Sequence, residues 1–180
     1  MIAEARLADG TFAFIWPLLP SDREAIREGY EHLSTESRER RFLADVPHLT
    51  ETLLEHLVDE VDGVDHVALA LVAVDEQHVG SGVGVARIIR YPNDPTAADL
   101  AVTVEDAWHG RGVATALLTE LLRRRPVGVT RIVTTVAADN PASLAMLRRL
   151  GPTTVTSGGG NQLDVVVELP PEVPEARPGT

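Results

Sequence analysis

The chain has 180 residues, of which 44% are hydrophobic and 24% charged; its formal net charge is −11 and it contains no cysteine. This is the composition of a globular domain. The acid surplus argues against nucleic acid, whose grip depends on clustered Lys and Arg, and the missing cysteines exclude disulfides, zinc–thiolate sites and a thiol nucleophile.

No apolar run is long enough to span a bilayer and the N-terminus lacks the secretory pattern, so a cytoplasmic protein without membrane contact is expected. Residues 11–19 (TFAFIWPLL) read as a strand that Pro17 or Pro20 closes. Ser21 with Glu24 three residues on is a capping box, so a helix follows to about Tyr30. A second short helix fits residues 35–42. Pro47 separates it from a third that Thr50 opens, with Leu53, Leu54, Leu57 and Val58 on one face. After Asp62 and Gly63 the periodicity changes. Residues 67–74 form a nearly continuous apolar run, as in a strand buried on both faces. Residues 75–78 read as a hairpin turn, 79–89 as a second strand and 91–95 as a loop. Leu100, Val102 and Val104 then alternate with smaller or polar residues in a further strand.

Residues 112–125 are an amphipathic helix with Val113, Leu117, Leu118, Leu121 and Leu122 on its apolar face and three arginines at its negative end. Residues 131–136 are a β-branched strand. Asn140 and Pro141 open the last helix, with Pro at its first position; Leu144, Leu147 and Leu150 line one side, and Gly151 and Pro152 end it. Residues 153–156 and 163–169 are closing strands. The order gives an α/β (α+β) mixed sheet of about seven strands with helices on both faces. Residues 1–169 read as one domain, and residues 170–180, with four prolines, as a disordered tail.

The stretch DLAVTVEDAWHGRGVAT, residues 99–115, carries the chemistry. A strand leads through a polar turn into a glycine-bearing loop and the start of a helix. Gly110 and Gly112 can adopt angles that other residues resist and let a ligand approach the main chain. Ala114 keeps the first helical turn uncrowded, and Thr115 adds a hydroxyl. Such a loop gathers N–H groups at the positive end of a helix dipole, which suits phosphate. No Gly-Lys-Ser/Thr follows, so it is not a P-loop, and the GxGxxG of a dinucleotide fold is incomplete.

Together with the helix that Asn140 opens, this stretch resembles the GNAT superfamily of N-acetyltransferases. Their acyl-CoA loop, Gln/Arg-x-x-Gly-x-Gly/Ala, is matched by His109-x-x-Gly112-x-Ala114. Their later Asn-x-x-Ser/Ala motif is matched by Asn140-Pro141-Ala142-Ser143, with a helix running on to Gly151. Residues 16–22, 33–38 and 41–43 look like the start of the GNAT domains of bacterial protein lysine acetyltransferases.

The resemblance implies a sheet splayed at the acyl-CoA site. It implies that the backbone of Val102, Thr103 and Val104 pairs with the pantetheine arm of acetyl-CoA. His109, Gly110, Arg111, Gly112, Val113, Ala114 and Thr115 would hold the pyrophosphate, and Asn140 and Ser143 would bind the cofactor nearby; no metal is implied. Asp99 stands where that bacterial branch commonly has Glu, and by resemblance is the base that deprotonates the acceptor amine. Two departures matter. Leu147 replaces a tyrosine that often protonates the leaving thiolate, and His109 replaces the usual Gln or Arg. Glu105 and Asp106 read as exposed turn residues, and Arg38, Arg40 and Arg41 as a solvated helix face, with acceptor or CoA contacts as the alternative.

The expectation is a cytoplasmic N-acyltransferase, monomer or homodimer, moving an acetyl group from acetyl-CoA to a primary amine. A protein lysine ranks ahead of a small cationic metabolite as acceptor. The competing class is a GNAT-fold sensor that binds acyl-CoA without turning it over.

Overall fold

The apolar run HVALALVAV folds as a strand, His66–Val74, and its two faces found two separate cores. Val67, Leu69, Leu71 and Ala73 enter one, while Ala68 and Ala70 face the other. The computed structural model describes residues 2–74 and 80–171. The turn expected at residues 75–78 and the tail from residue 172 lie outside the described residues.

Eight strands are found among the described residues: β1 (Ala3–Arg6), β2 (Phe12–Pro17), β3 (His66–Val74), β4 (Gly80–Tyr91), β5 (Asp94–Val104), β6 (Arg131–Ala137), β7 (Thr153–Gly159) and β8 (Gln162–Glu168). They form one sheet in the order β1-β2-β3-β4-β5-β6-β8-β7. Every neighbouring pair is antiparallel except β5 and β6.

On one face lies α4 (Val113–Arg123), burying Val113, Leu117, Leu118 and Leu121 against Val83, Ala86 and Ile88. Gly84 permits this approach: a Cβ there would come within 2.8 Å of Val113 Cγ1. On the other face lie α1 (Arg23–Glu31), α2 (Thr35–Phe42) and α3 (Glu51–Leu54). Leu18, Tyr30, Leu33, Leu54, Leu57 and Val58 close this second core over Ala68. The fifth helix, α5 (Pro141–Arg148), sends Leu147 into the first core.

α3 continues as one π turn over Glu55–Asp59, in which Glu60 N–H donates to Glu55 O at 3.0 Å. The wider turn leaves the Leu57 carbonyl free, and Arg87 Nη1 donates to it at 2.7 Å. Arg87 is 5% exposed, and its Nη1 lies 3.2 Å from His66 Nε2. An arginine donates only, so this His66 nitrogen is the acceptor and the ring is neutral. Burial, then the charge of Arg41, pushes Arg87 down to about 9. Burial, then Arg87 and His56, lowers His66 to about 4.

The fold departs from the sequence reading at several elements, and β7 runs on to Gly159 where the reading ends it at residue 156. β1 makes eight strands rather than seven; its four residues, AEAR, alternate half-buried and exposed and carry no apolar run. The loop expected at residues 91–95 shrinks to a turn, because β5 begins at Asp94. Ser21 makes no cap: Pro20–Asp22 is a 3₁₀ turn, and Asp22 Oδ2 accepts from Leu19 N–H at 2.8 Å. The helix expected at residues 112–125 begins after Gly112, which caps it at φ +90°, and ends at Arg123.

Gly151 follows α5 where the chain touches β8, and a Cβ there would lie 1.9 Å from the Glu168 carbonyl oxygen. Gly151→Ala should therefore destabilise the protein by at least about 2 kcal/mol, the scale of overpacking, read by chemical denaturation. A second outcome concerns acid. Between pH 6.5 and about 4 the unfolded chain protonates His66 and the native chain does not. Stability therefore falls as pH drops through that window, by up to about 3 kcal/mol. His66→Gln should flatten that part of the stability–pH curve.

Candidate active site

β5 and β6 pair in register only at Ala97–Arg131 and Ala98–Ile132. Beyond these pairs β5 stays with β4 as far as Val104, and β6 stays with β8 as far as Ala137. The two halves of the sheet part, and Asp99 is the first residue past the fork. Two hydroxyls span the opening: Thr134 Oγ1 donates to Leu100 O at 3.4 Å, and Tyr91 Oη donates to Val133 O at 3.0 Å.

Leu100 O and Val104 O both face the fork, so Val102, in phase between them, turns its N–H and C=O there too. Thr103 is out of phase, and its carbonyl lies on the β4 side, 3.2 Å from the Cβ position of Gly84. The Val104 carbonyl is taken by His109 Nε2 at 3.1 Å, so that nitrogen carries the proton. Of the three residues expected to offer backbone, Val102 alone presents both groups free.

At the far end of β5 the chain enters the glycine loop, with φ +74° at Gly110 and +90° at Gly112. Among the described residues, none of the N–H groups from residue 110 to residue 115 donates to the protein: three belong to the loop, and three are the first-turn donors that any helix leaves unmet. The loop is held from behind. Ala8 N–H donates to Arg111 O at 3.0 Å, and a Cβ on Gly112 would sit 3.1 Å from Ala8 N. Arg111 itself points away from the groove: its guanidinium pairs with Asp9, bonds Thr11 Oγ1 and covers the Trp108 ring at 3.8 Å.

A groove of about 610 Å³ follows the loop; Val102, Thr103, Val104, His109, Gly110, Gly112, Val113, Ala114, Thr115, Asn140 and Ser143 all line it. Three arginines, Arg40, Arg41 and Arg149, line it too, with no carboxylate. In a chain of net charge −11 this is a local reversal of sign that favours an anion. Next to it, a cavity of about 340 Å³ fills the fork and brings Asp99 and Tyr91 together with Asn140, Ser143 and Leu147. Asn140 caps α5, its Oδ1 accepting from Ser143 N–H at 3.1 Å, which leaves its amide donors uncommitted. Burial, then the charge of Asp99, raises Tyr91 above the usual phenol range.

α2 crosses this region, and here the sequence reading needs correction. Asp106 is no solvated turn residue. Its carboxylate accepts from Ser34 N–H at 2.8 Å, Ser34 Oγ at 3.0 Å and Ser37 Oγ at 2.6 Å, fastening the start of α2 to the end of β5. Burial would raise its pKa, but these hydrogen bonds outweigh it and hold the carboxyl below the ordinary range. The three arginines of α2 have three fates. Arg38 donates to Pro47 O at 2.6 Å and Glu31 O at 2.7 Å. Arg40 pairs with Glu36 and reaches Asp139 O at 3.3 Å. Arg41 turns inward to the cavities. The sequence does not bring Tyr91, Asp106 or Arg149 to the site, and it offers Arg41 there only as the alternative to a solvated helix face. Nothing in the sequence near Ser34 and Ser37 points to a carboxylate some seventy residues on.

The sequence matches the Acetyltransferase (GNAT) family over residues 25–151. It is 34% identical over 163 residues to Acetyltransferase Pat of Mycolicibacterium smegmatis, covering 90% of this chain and 47% of that protein; the chain thus spans about half the length of that relative. The crystal structure of the GNAT domain of S. lividans PAT superposes with a TM-score of 0.78 at 28% identity, over 93% of this chain and 97% of that one. The acetyltransferase yncA from Salmonella typhimurium, solved with its cofactor acetyl-CoA, shares the fold with a TM-score of 0.65 at 22% identity, over 91% of this chain and 98% of that one. A match across so much of the sequence, on the same fold, decides the family: the chain belongs to the GNAT acetyltransferases.

Proposed function

We propose that the chain transfers the acetyl group of acetyl-CoA to a primary amine, with a protein lysine as the acceptor class, in the cytoplasm. The observation that carries this is the fork: unpaired Val102 backbone leads from Asp99 toward six unmet N–H groups, with Arg40 and Arg149 lining the groove beside them. An arm with amides at one end and phosphates at the other fits that sequence of partners. The lysine acceptor rests on the similarity to Pat.

In this reading Val102 bonds the pantetheine arm, residues 110–115 hold the pyrophosphate, and Arg149 offsets phosphate charge at the rim. Thr103 contributes its side chain to the groove wall but not its backbone. Arg111 contributes its peptide N–H, while its side chain fixes the loop to the β1–β2 hairpin. His109 acts on the strand through Val104 O. Asn140 donates its free amide hydrogens, with the Ser143 hydroxyl beside it.

Acetyl-CoA supplies an activated thioester. The acceptor supplies an amine that is almost wholly protonated at pH 7 when its pKa is about 10.4; reaching the neutral form costs roughly 4–5 kcal/mol. Asp99 stands at the fork to take that proton, directly or through water. The Leu147 side chain, 1% exposed, offers no proton to the leaving sulfur. That absence favours a second reading, a sensor that binds acyl-CoA without turnover.

Acetyl-CoA at 100 times its dissociation constant should stabilise the fold by about 2.7 kcal/mol, a rise of about 5–10 °C in Tm. No shift at millimolar cofactor would sink both readings. Thiol release with lysine peptides separates them, since a sensor releases none. If Asp99 is the base, Asp99→Asn lowers kcat/KM about 10²- to 10⁴-fold while the acetyl-CoA melting shift persists. Undiminished turnover in that variant would remove Asp99 from the role.

A further inference from the structure

A third cavity, of about 220 Å³, lies beneath α1 and α2 on the Asp99 face of β5. Its walls are chiefly apolar, with Leu18, Ile26, Leu33, Phe42, Leu49 and Leu57 among them. It is smaller than the roughly 300–1,000 Å³ of sites for drug-sized ligands, and so is scaled to one compact apolar group. Two guanidinium groups line it, Arg41 and Arg87.

Their situations differ. Arg87 is committed to Leu57 O and His66. Arg41 makes no hydrogen bond and no ion pair among the described residues; it packs over the Phe42 ring at 4.8 Å. Burial lowers its pKa, and the charge of Asp99 partly restores it. The half-buried Arg41 thus offers five N–H donors that no protein acceptor takes among the described residues, and a ligand in these spaces can supply one. Arg41 also lines the fork cavity and the groove, so it stands where all three spaces meet.

The phosphates of the cofactor are poor candidates for this acceptor. The anion-binding loop begins beyond Val104, and Val104 is five residues, about 17 Å, along β5 from Asp99. Arg41 shares the fork cavity with Asp99, and of the three groove arginines it alone also lines the apolar chamber. A cation that lines both chamber and fork, with an anion in the same fork, complements a molecule with the opposite pair beside an apolar group.

We propose that the acceptor site takes free α-amino acids with apolar side chains: the α-carboxylate on Arg41, the α-amine toward Asp99 and the fork, the side chain in the chamber beneath α1 and α2. This rests on acetyl transfer at the fork and adds an acceptor class to it. The α-amine nitrogen bonds to the acetyl carbon as the carbon–sulfur bond breaks. Of the three ammonium protons, one stays on the amide, one goes to solvent through Asp99 and one ends on the CoA sulfur.

The test compares L-leucine with L-leucinamide, which differ in the carboxylate, using thiol release from acetyl-CoA. The wild-type kcat/KM should favour leucine by about 30-fold or more, the scale of a charge-assisted hydrogen bond. Arg41→Gln should collapse that ratio toward one by loss on leucine, carried mainly in KM, and Arg41→Lys should restore part of it. A wild-type ratio near one, or equal losses on both substrates in Arg41→Gln, would overturn the proposal; the latter is what a purely structural arginine predicts. Melting shifts with CoA present read binding without turnover. Leucine raising Tm where leucinamide does not, with no thiol release from any amine, keeps the Arg41 assignment and sinks acetyl transfer. Thiol release with lysine peptides but neither release nor melting shift with leucine does the reverse.

Discussion

Between Ala98 and Ile132 the parallel ladder stops, and most of what is particular to this molecule follows from that interruption. Each half of the sheet keeps its own full set of partners, β5 with β4 and β6 with β8, so neither strand is loose. Strands twist as they run, and two well-paired halves joined over two residues diverge. The gap exposes main-chain groups inside a protein, where they are ordinarily satisfied. Thr134, Tyr91 and His109 each meet one of the carbonyls on its rim. Val102 is left over, its N–H and C=O without a partner in the protein among the described residues.

The second constraint is the placement of α2 across this opening. Its start is fixed by Asp106, and its end turns through Leu43, a non-glycine residue at φ 54°. Such a backbone is uncommon for a leucine and persists only where surrounding packing enforces it. Leu43 lines the fork cavity two residues after Arg41. The helix is thus pinned at both ends, and its last turn delivers the Arg41 guanidinium to the cavities. Arg87 lies beneath, buried and held by a carbonyl that the π turn releases. Its own burial first, and the charge of Arg41 second, depress the pKa of Arg87.

The sequence made some of this legible and hid the rest for a physical reason. The glycine loop, the helix after it and the Asn140 cap are local: their signals lie within a turn or two of the residues they order. β3 announced its burial on both faces by an unbroken apolar run. β1 did not, because AEAR is short, half polar and lies at an edge. The larger omissions are all contacts across distance. Asp106 reaches Ser34 and Ser37, Tyr91 reaches Val133, and His109 reaches back to a carbonyl whose direction depends on strand phase. Arg41 looked like one of several arginines on a polar helix, and only the packing of α2 on the sheet separates it from Arg38 and Arg40. Asp99 is singled out in the sequence because its neighbours carry a family pattern; its place as the first residue beyond the last β5–β6 pair belongs to the fold.

The fork also bears on how the protein keeps to itself. An unpaired strand normally lies at the rim of a sheet, where it invites another chain to add on. Here the unpaired length of β5 lies in the interior of the sheet order, with α2 above and α5 beside it, and its exposed carbonyls are stoppered by side chains of the same molecule. A slender arm can enter such a slot; a whole β-strand with side chains on both faces cannot. The geometry that leaves this backbone open to a narrow group therefore also closes it to a strand from another copy, the hazard that an unpaired edge presents.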